Sequence, residues 1–257
     1  MPAAQRFGDR VAIVTGGAAG IGYATAKAYA RLGATVVIAD VDEAKLEAVK
    51  AELGVDGIAG DLSQEVDAER LVSYAVERHG KVDILVNLAS IYPPGPVEQE
   101  TVEGWRRVIG INLDSTFLCT QKVLPHMRER GYGRIVNTSS STFNNGQPGM
   151  VAYVTSKGGV VAFSRVVATE VGEHGITVNT IMPGLIATQH VLDMFGGDPT
   201  ARQANDEFFD VAIAQQAVKR RGEPEDIANG ILFLTDEASG FISGQVLQVD
   251  GGWSFTA

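Results

Sequence analysis

Tyr153 and Lys157 stand four residues apart near the start of Val151 to Glu173, a segment whose composition and spacing predict a helix. That spacing puts a phenol and an ammonium on one helix face, within reach of one ligand. A phenol, with an ordinary pKa of about 10, is a poor base at neutral pH, and a neighbouring ammonium favours its ionised form. The pair can then pass a proton to or from an oxygen on a bound molecule. Taken alone, it is also a common helix-surface pair. Thirteen residues before the tyrosine, Ser140 follows a strand at 134–137, and its hydroxyl could donate to the same oxygen. Ser139 and Ser141 flank it, and the residues themselves do not choose among the three.

A second cluster suits a phosphate. Thr15-Gly-Gly-Ala-Ala-Gly-Ile-Gly22 directly follows an apolar strand and opens a helix. Gly16, Gly20 and Gly22 let the backbone turn tightly, approach a pyrophosphate and pack the helix on the sheet. Ile21 lies between the last two. The free N–H groups of the helix start then face the anion. Asp40 ends the second strand, 18 positions beyond Gly22. A carboxylate there accepts hydrogen bonds from both hydroxyls of an adenosine ribose and repels a 2′-phosphate. Ala19 and Val41 are uncharged and do not offset that repulsion, so NAD is expected rather than NADP. The competing reading makes Asp40 a cap for Asp42 to Lys45.

Elements must bring these clusters together. Apolar strands are expected at 11–15, 35–39, 83–86, 134–137, 177–181 and 246–249, with helical segments between them. Such alternation predicts an α/β fold: one Rossmann-type, doubly wound parallel sheet with helices on both faces. No repeat or linker divides the chain, so residues 1–257 are read as a single dinucleotide-binding and catalytic domain. The least regular stretch, 188–216, includes Phe195-Gly-Gly197 and is expected to lie over the strand ends as a substrate lid.

Composition removes other classes. The 257 residues carry a formal net charge of -10, which disfavours nucleic acid and anionic membranes as partners. The basic run Lys219-Arg220-Arg221 is read as a solvated face. Cys119 stands alone, and His79, His126, His174 and His190 lack metal-like spacing, so no metal is expected. His190, within the expected lid, is the one histidine that merits a test. No apolar run approaches about 20 residues, and 1–9 lacks a leader's apolar core, which points to the cytoplasm.

In these motifs the chain resembles the short-chain dehydrogenase/reductase family over nearly its whole length. Thr15 to Gly22 matches its Thr-Gly-x-x-x-Gly-x-Gly, and Tyr153 with Lys157 matches its Tyr-x-x-x-Lys. The family's serine-to-tyrosine spacing selects Ser140, and Asn112 matches its catalytic asparagine. The resemblance implies hydride exchange between NAD and an alcohol or ketone carbon. Tyr153 would transfer the proton, and Ser140 would orient and polarise the oxygen. Lys157 would bond the nicotinamide ribose and lower the tyrosine pKa, and Asn112 would hold a relay water. The resemblance also places Asp61 and Leu62 beside the adenine. Asn87 and Ala89 fall on the adenosine side, and Pro183, Gly184, Ile186 and Thr188 along the carboxamide. Asp250-Gly-Gly252 matches the family's last strand end. A homotetramer built on helices near 112–127 and 151–173 is implied as well.

Three residues depart from the family pattern. Asn87-Leu-Ala-Ser90 replaces Asn-Asn-Ala-Gly, so Leu88 and Ser90 are expected to alter packing or substrate shape. Phe143 stands where glycine is common, and with Tyr92 it is similar to members that oxidise aryl secondary alcohols. Two rival functions remain: a 3-oxoacyl-carrier-protein reductase, and a nucleotide-sensing regulator without chemistry.

Overall fold

Val11–Thr15 (β1) is buried at every position because it lies inside a sheet covered on both faces. The computed structural model describes residues 5–193 and 199–254, those of 199–202 by backbone alone. After β1 come α1 (Gly20–Arg31), β2 (Thr35–Asp40), α2 (Glu43–Leu53), β3 (Asp56–Ala59), α3 (Glu65–His79) and β4 (Ile84–Asn87). Next are α4 (Val102–Ile109), a π-helical turn at Gly110–Asp114, α5 (Ser115–Arg130), β5 (Gly133–Thr138), α6 (Thr142–Asn145) and α7 (Val151–Val171). The chain continues through β6 (Ile176–Pro183), α8 (Gln189–Asp193), α9 (Pro199–Gln215), α10 (Pro224–Thr235) and β7 (Val246–Val249).

The seven strands pair in parallel in the order β3-β2-β1-β4-β5-β6-β7. Strand order reverses between β1 and β4, which opens a crevice at their carboxyl ends. Alternate strand residues feed two cores. Val14, Ile38, Val86 and Ile181 pack with Tyr29 of α1 and Ile231 of α10. Ile13, Val37, Leu85 and Ile135 pack with Leu71 of α3, Val123 of α5 and Val171 of α7. The expected doubly wound sheet is the one observed.

Two readings need correction. β3 was not anticipated, because Asp56-Gly-Ile-Ala holds one large apolar residue and every position is half-buried at the sheet edge. Its glycine is required, since a Cβ on Gly57 would come 2.8 Å from a side-chain carbon of Ile38. The stretch expected to be irregular is largely helical, as α8 and α9, with Phe209 buried on α9. Phe195-Gly-Gly197 lies outside the described residues. The basic run, read as a solvated face, is exposed at Lys219 and Arg220, but its charges are matched locally. Arg220 pairs twice with Asp226 at 2.6 and 2.7 Å, Arg221 pairs with Asp206 at 2.6 Å, and Lys219 donates to the Ala214 carbonyl. Among the described residues, no helix is long and apolar enough to cross a membrane.

Candidate active site

The turn between β1 and α1 is built around glycine. Gly16 and Gly20 have φ of 63° and 51°, in the left-handed region that side chains avoid. A Cβ on Gly22 would lie 1.9 Å from the Gly16 carbonyl oxygen, so only glycine lets α1 start this close. Ala19 at the N-cap offers no side-chain hydrogen bond, which leaves the first N–H groups of α1 for an anion. Thr15 Oγ1 accepts from Leu88 N at 2.9 Å and Ala89 N at 3.1 Å, fixing the exit of β4 against the turn.

Asp40 holds the same turn from β2. One carboxylate oxygen accepts from Ala18 N and the other from Asp42 N, each at 3.1 Å. The cap of α2 is Asp42, whose side chain accepts from Lys45 N at 3.0 Å. Asp40 therefore is not that cap. Asp61 is exposed and accepts from Ser63 N and Oγ, while Leu62 is buried in the core. The Asn87 amide is engaged inside the sheet, donating to Asn137 Oδ1 at 2.8 Å, and Asn137 in turn donates to Ser164 on α7. The Asn87 side-chain NH2 is thereby committed to the sheet.

At the other end of the crevice the three serines separate. Ser139 Oγ donates to the Lys157 carbonyl at 3.0 Å, tying β5 to α7. Ser141 N donates to Pro183 O at 2.9 Å, which joins β6. Ser140 Oγ accepts from Thr142 N at 3.3 Å and Thr142 Oγ1 at 2.9 Å. With both acceptor positions filled, its own proton is what it can offer. It lies beside the Tyr153 phenol, and its hydrogen bond works to lower that group's pKa.

Burial dominates the titration of both partners on α7. The Tyr153 hydroxyl is pushed up by desolvation, against the pull of Ser140. Lys157, 2% exposed, is brought down to about 7 by desolvation. Its Nζ is 5.5 Å from the Tyr153 ring centre and donates to the Thr138 carbonyl at 2.9 Å, leaving two donor positions. Of the neighbouring side chains, Ser140 is the one that works to lower the tyrosine pKa here. A lysine whose folded pKa lies below its ordinary 10.5 binds fewer protons than the unfolded chain between about pH 7 and 10.5. Over that window stability rises with pH, by up to about 1.4 kcal/mol per unit. Urea unfolding from pH 7 to 10 should show this rise in the wild type and a flatter profile in Lys157→Met. Parallel profiles would contradict it.

Asn112 is buried in the π-helical turn, a distortion common at functional positions. Its Oδ1 accepts from Ile91 N at 2.8 Å, and its amide donates to Ile91 O and to Ser156 Oγ. The side chain thus positions the loop after β4 against α7; the sequence carries no clear sign of this, since Ser156 belongs to neither motif. Pro183 ends β6, and Gly184 packs against Asp250, where a Cβ would come within 2.6 Å. Ile186 bridges to Gly222. Thr188 starts α8 and returns to the first turn, its methyl 3.2 Å from where a Cβ on Gly20 would sit.

Aromatic rings line the reacting end. Tyr92 stands edge-to-face with Tyr153 at 5.7 Å and with His190 of α8 at 4.9 Å. Burial and the nearby Tyr153 push the Tyr92 hydroxyl up to about 12. Phe143, 41% exposed, has its ring against Gly158. Among the described residues, no group of three or more His, Cys, Asp or Glu is arranged to hold a metal.

A family model described as enoyl-(acyl carrier protein) reductase matches residues 16–254. The chain is 39% identical to the (2S)-[(R)-hydroxy(phenyl)methyl]succinyl-CoA dehydrogenase subunit BbsD of Thauera aromatica, covering 97% of this chain and 98% of that protein. It is 33% identical to the 3-oxoacyl-[acyl-carrier-protein] reductase FabG of Thermotoga maritima, over 96% and 99% of the two chains. The crystal structure of levodione reductase superposes with a TM-score of 0.89 at 35% identity, covering 96% of this chain and 98% of that one.

Proposed function

The chain belongs to the short-chain dehydrogenase/reductase family, and from that premise we propose that it exchanges a hydride between NAD and a secondary alcohol or ketone. Oxidoreduction at a CH–OH carbon is common to the relatives; NAD and the substrate class are the finer part of the reading. One observation carries it. A serine with only its proton to offer, a half-buried phenol and a buried lysine meet at the end of β5, across the crevice from an uncapped glycine turn.

The turn fits a dinucleotide, since its cradle would be filled by a Cβ at Gly22. The N–H groups around Gly16, Gly20, Ile21 and Gly22 would hold the pyrophosphate, and Asp40 the adenosine ribose. Asp61, Leu62 and the backbone of Asn87 and Ala89 would flank the adenosine, and Pro183, Gly184, Ile186 and Thr188 the carboxamide. When bound, NAD supplies or accepts the hydride at C4 of its nicotinamide. Ser140 donates to the substrate oxygen and fixes its position. Tyr153 gives or takes the proton at that oxygen. Lys157 would direct its two remaining donor positions to the ribose, and Asn112 positions the loop after β4 through Ile91.

The rings of Tyr92, Phe143 and His190 favour a flat aryl or alicyclic substrate over a highly charged one. The phenyl group in the name of the Thauera aromatica relative accords with this. Helices α8 and α9 would act as the lid. A cytoplasmic homotetramer completes the reading, covering the exposed Phe117 of α5 and Val166 of α7. The FabG relative supports the carrier-protein reductase as second reading, and a preference for NADP would favour it.

Serine substitutions test the site. Ser140→Ala is expected to lower kcat/KM about 10²-fold or more, as loss of an oxyanion donor does. Ser139→Ala is expected to lower chiefly the Tm, through its lost bond to the Lys157 carbonyl. Greater kinetic sensitivity at 139 or 141 would refute the assignment.

A further inference from the structure

Ser140 owes the direction of its proton to a turn with little hold of its own. Thr142 N and Oγ1 fill the acceptor positions of Ser140 Oγ, and Thr142 opens α6, a single turn of four residues with none buried. One helical turn does not persist by its backbone alone, because nucleation fixes more dihedrals than one hydrogen bond can offset. Two side chains tie α6 down. The Phe143 ring lies on Gly158 of α7, where an added Cβ would come within 2.8 Å of it. Asn144 reaches the other way, donating to Met182 Sδ on β6 at 3.3 Å and to Gln248 Oε1 on β7 at 3.2 Å. Among the described residues, no other side chain of α6 hydrogen-bonds a strand.

The tie has a fixed direction. The Gln248 amide nitrogen faces Asp250 Oδ2 at 2.5 Å, and the carbonyl and hydroxyl oxygens of Ser254 at 2.9 and 2.5 Å. A carboxylate and a carbonyl only accept, so the nitrogen must point to them and the amide oxygen to Asn144. Asp250 is itself clamped, accepting from Gly252 N at 2.9 Å and Ser254 N at 2.8 Å. A chain of contacts therefore runs from Asp250 through Gln248, Asn144 and Thr142 to the Ser140 hydroxyl. With Asn144 removed, α6 keeps only the Phe143 contact. Thr142 is then free to leave Ser140 Oγ, water takes the opened acceptor position, and the serine proton no longer has one direction.

We infer that Asn144 and Gln248 are positioning residues, which hold α6 so that Thr142 keeps the Ser140 proton aimed at the substrate oxygen. This rests on the function proposed above, and within it on the role of Ser140. The test is a pair of double-mutant cycles on the full chain: Asn144→Leu and Gln248→Met, each alone and each combined with Ser140→Ala. The readouts are kcat/KM for oxidation of 1-phenylethanol with NAD, and the calorimetric Kd for NADH. Asn144 is exposed, so its replacement leaves the core untouched. Alone, each variant is expected to lower kcat/KM about fivefold to tenfold with NADH binding unchanged. Combined with Ser140→Ala, each should change it by less than about twofold, because the group that they aim is gone. Asn145→Leu, on the same turn but with a side chain that hydrogen-bonds none of the described residues, should keep the wild-type kcat/KM. An equal loss in both backgrounds overturns the inference, as does full activity in both single variants or a matching loss in Asn145→Leu. A Ser140→Ala chain as active as the wild type would instead refute the serine assignment itself, and this inference with it.

Discussion

Replacing Tyr153 with Phe should lower kcat/KM by about 10³-fold or more while leaving the Kd for NADH within about twofold. The change deletes one hydroxyl and keeps the ring, so the edge-to-face contact with Tyr92 survives. Lys157 also stays in place, because its Nζ is anchored to the Thr138 carbonyl and not to the phenol. Proton transfer at the substrate oxygen is what disappears. Steady-state kinetics together with fluorescence titration of NADH separate the two effects. Substantial remaining turnover would mean that another group supplies the proton. Parallel loss of NADH binding would mean that the phenol serves the cofactor and not the reaction.

The second large effect concerns cofactor choice. Asp40 is held by Ala18 N and Asp42 N at the rim of the glycine turn, so its charge has a fixed position. Neutralising it removes the repulsion toward a 2′-phosphate and weakens the grip on the ribose hydroxyls. The ratio of kcat/KM with NAD to that with NADP should fall by roughly 10²-fold in Asp40→Ala, about 1.4 kcal/mol for each factor of ten. Asp40→Asn keeps the shape and one acceptor, and should shift the ratio in the same direction with a near-native Tm. An unchanged ratio would remove Asp40 from cofactor selection. A wild-type enzyme that prefers NADP would turn the substrate reading toward the carrier-protein reductase.

Much of this architecture is legible in the residues because buried parallel strands are continuous apolar runs and the glycine turn is local. Val11–Thr15 and Gly16 to Gly22 need no tertiary information to be recognised. β3 was hidden because an edge strand buries little, and Asp56-Gly-Ile-Ala carries too few apolar residues to show a pattern. In 188–216, the glycines and Pro199 drew attention away from the helical spacing of α9. Within the site, family spacing selected Ser140, whereas the physical reasons, the Ser139 hydroxyl bound to α7 and the Ser140 hydroxyl beside Tyr153, depend on long-range contacts. The desolvation that pushes Tyr153 up and Lys157 down was hidden for the same reason. Helical spacing puts the two on one face but does not reveal that Lys157 is buried and Tyr153 largely desolvated. The pairings of Asn87 with Asn137 and of Asn144 with Gln248 were equally out of reach.

A crystal structure of the full chain with NAD+ tests the central claim most directly. The account predicts the diphosphate against the backbone amides of Gly16 to Gly22. It also predicts nicotinamide C4 turned toward a position about 3–3.5 Å away where a carbon, with its oxygen between Ser140 and Tyr153, would react. A nicotinamide directed away from those two hydroxyls, or a diphosphate seated elsewhere on the protein, would contradict it.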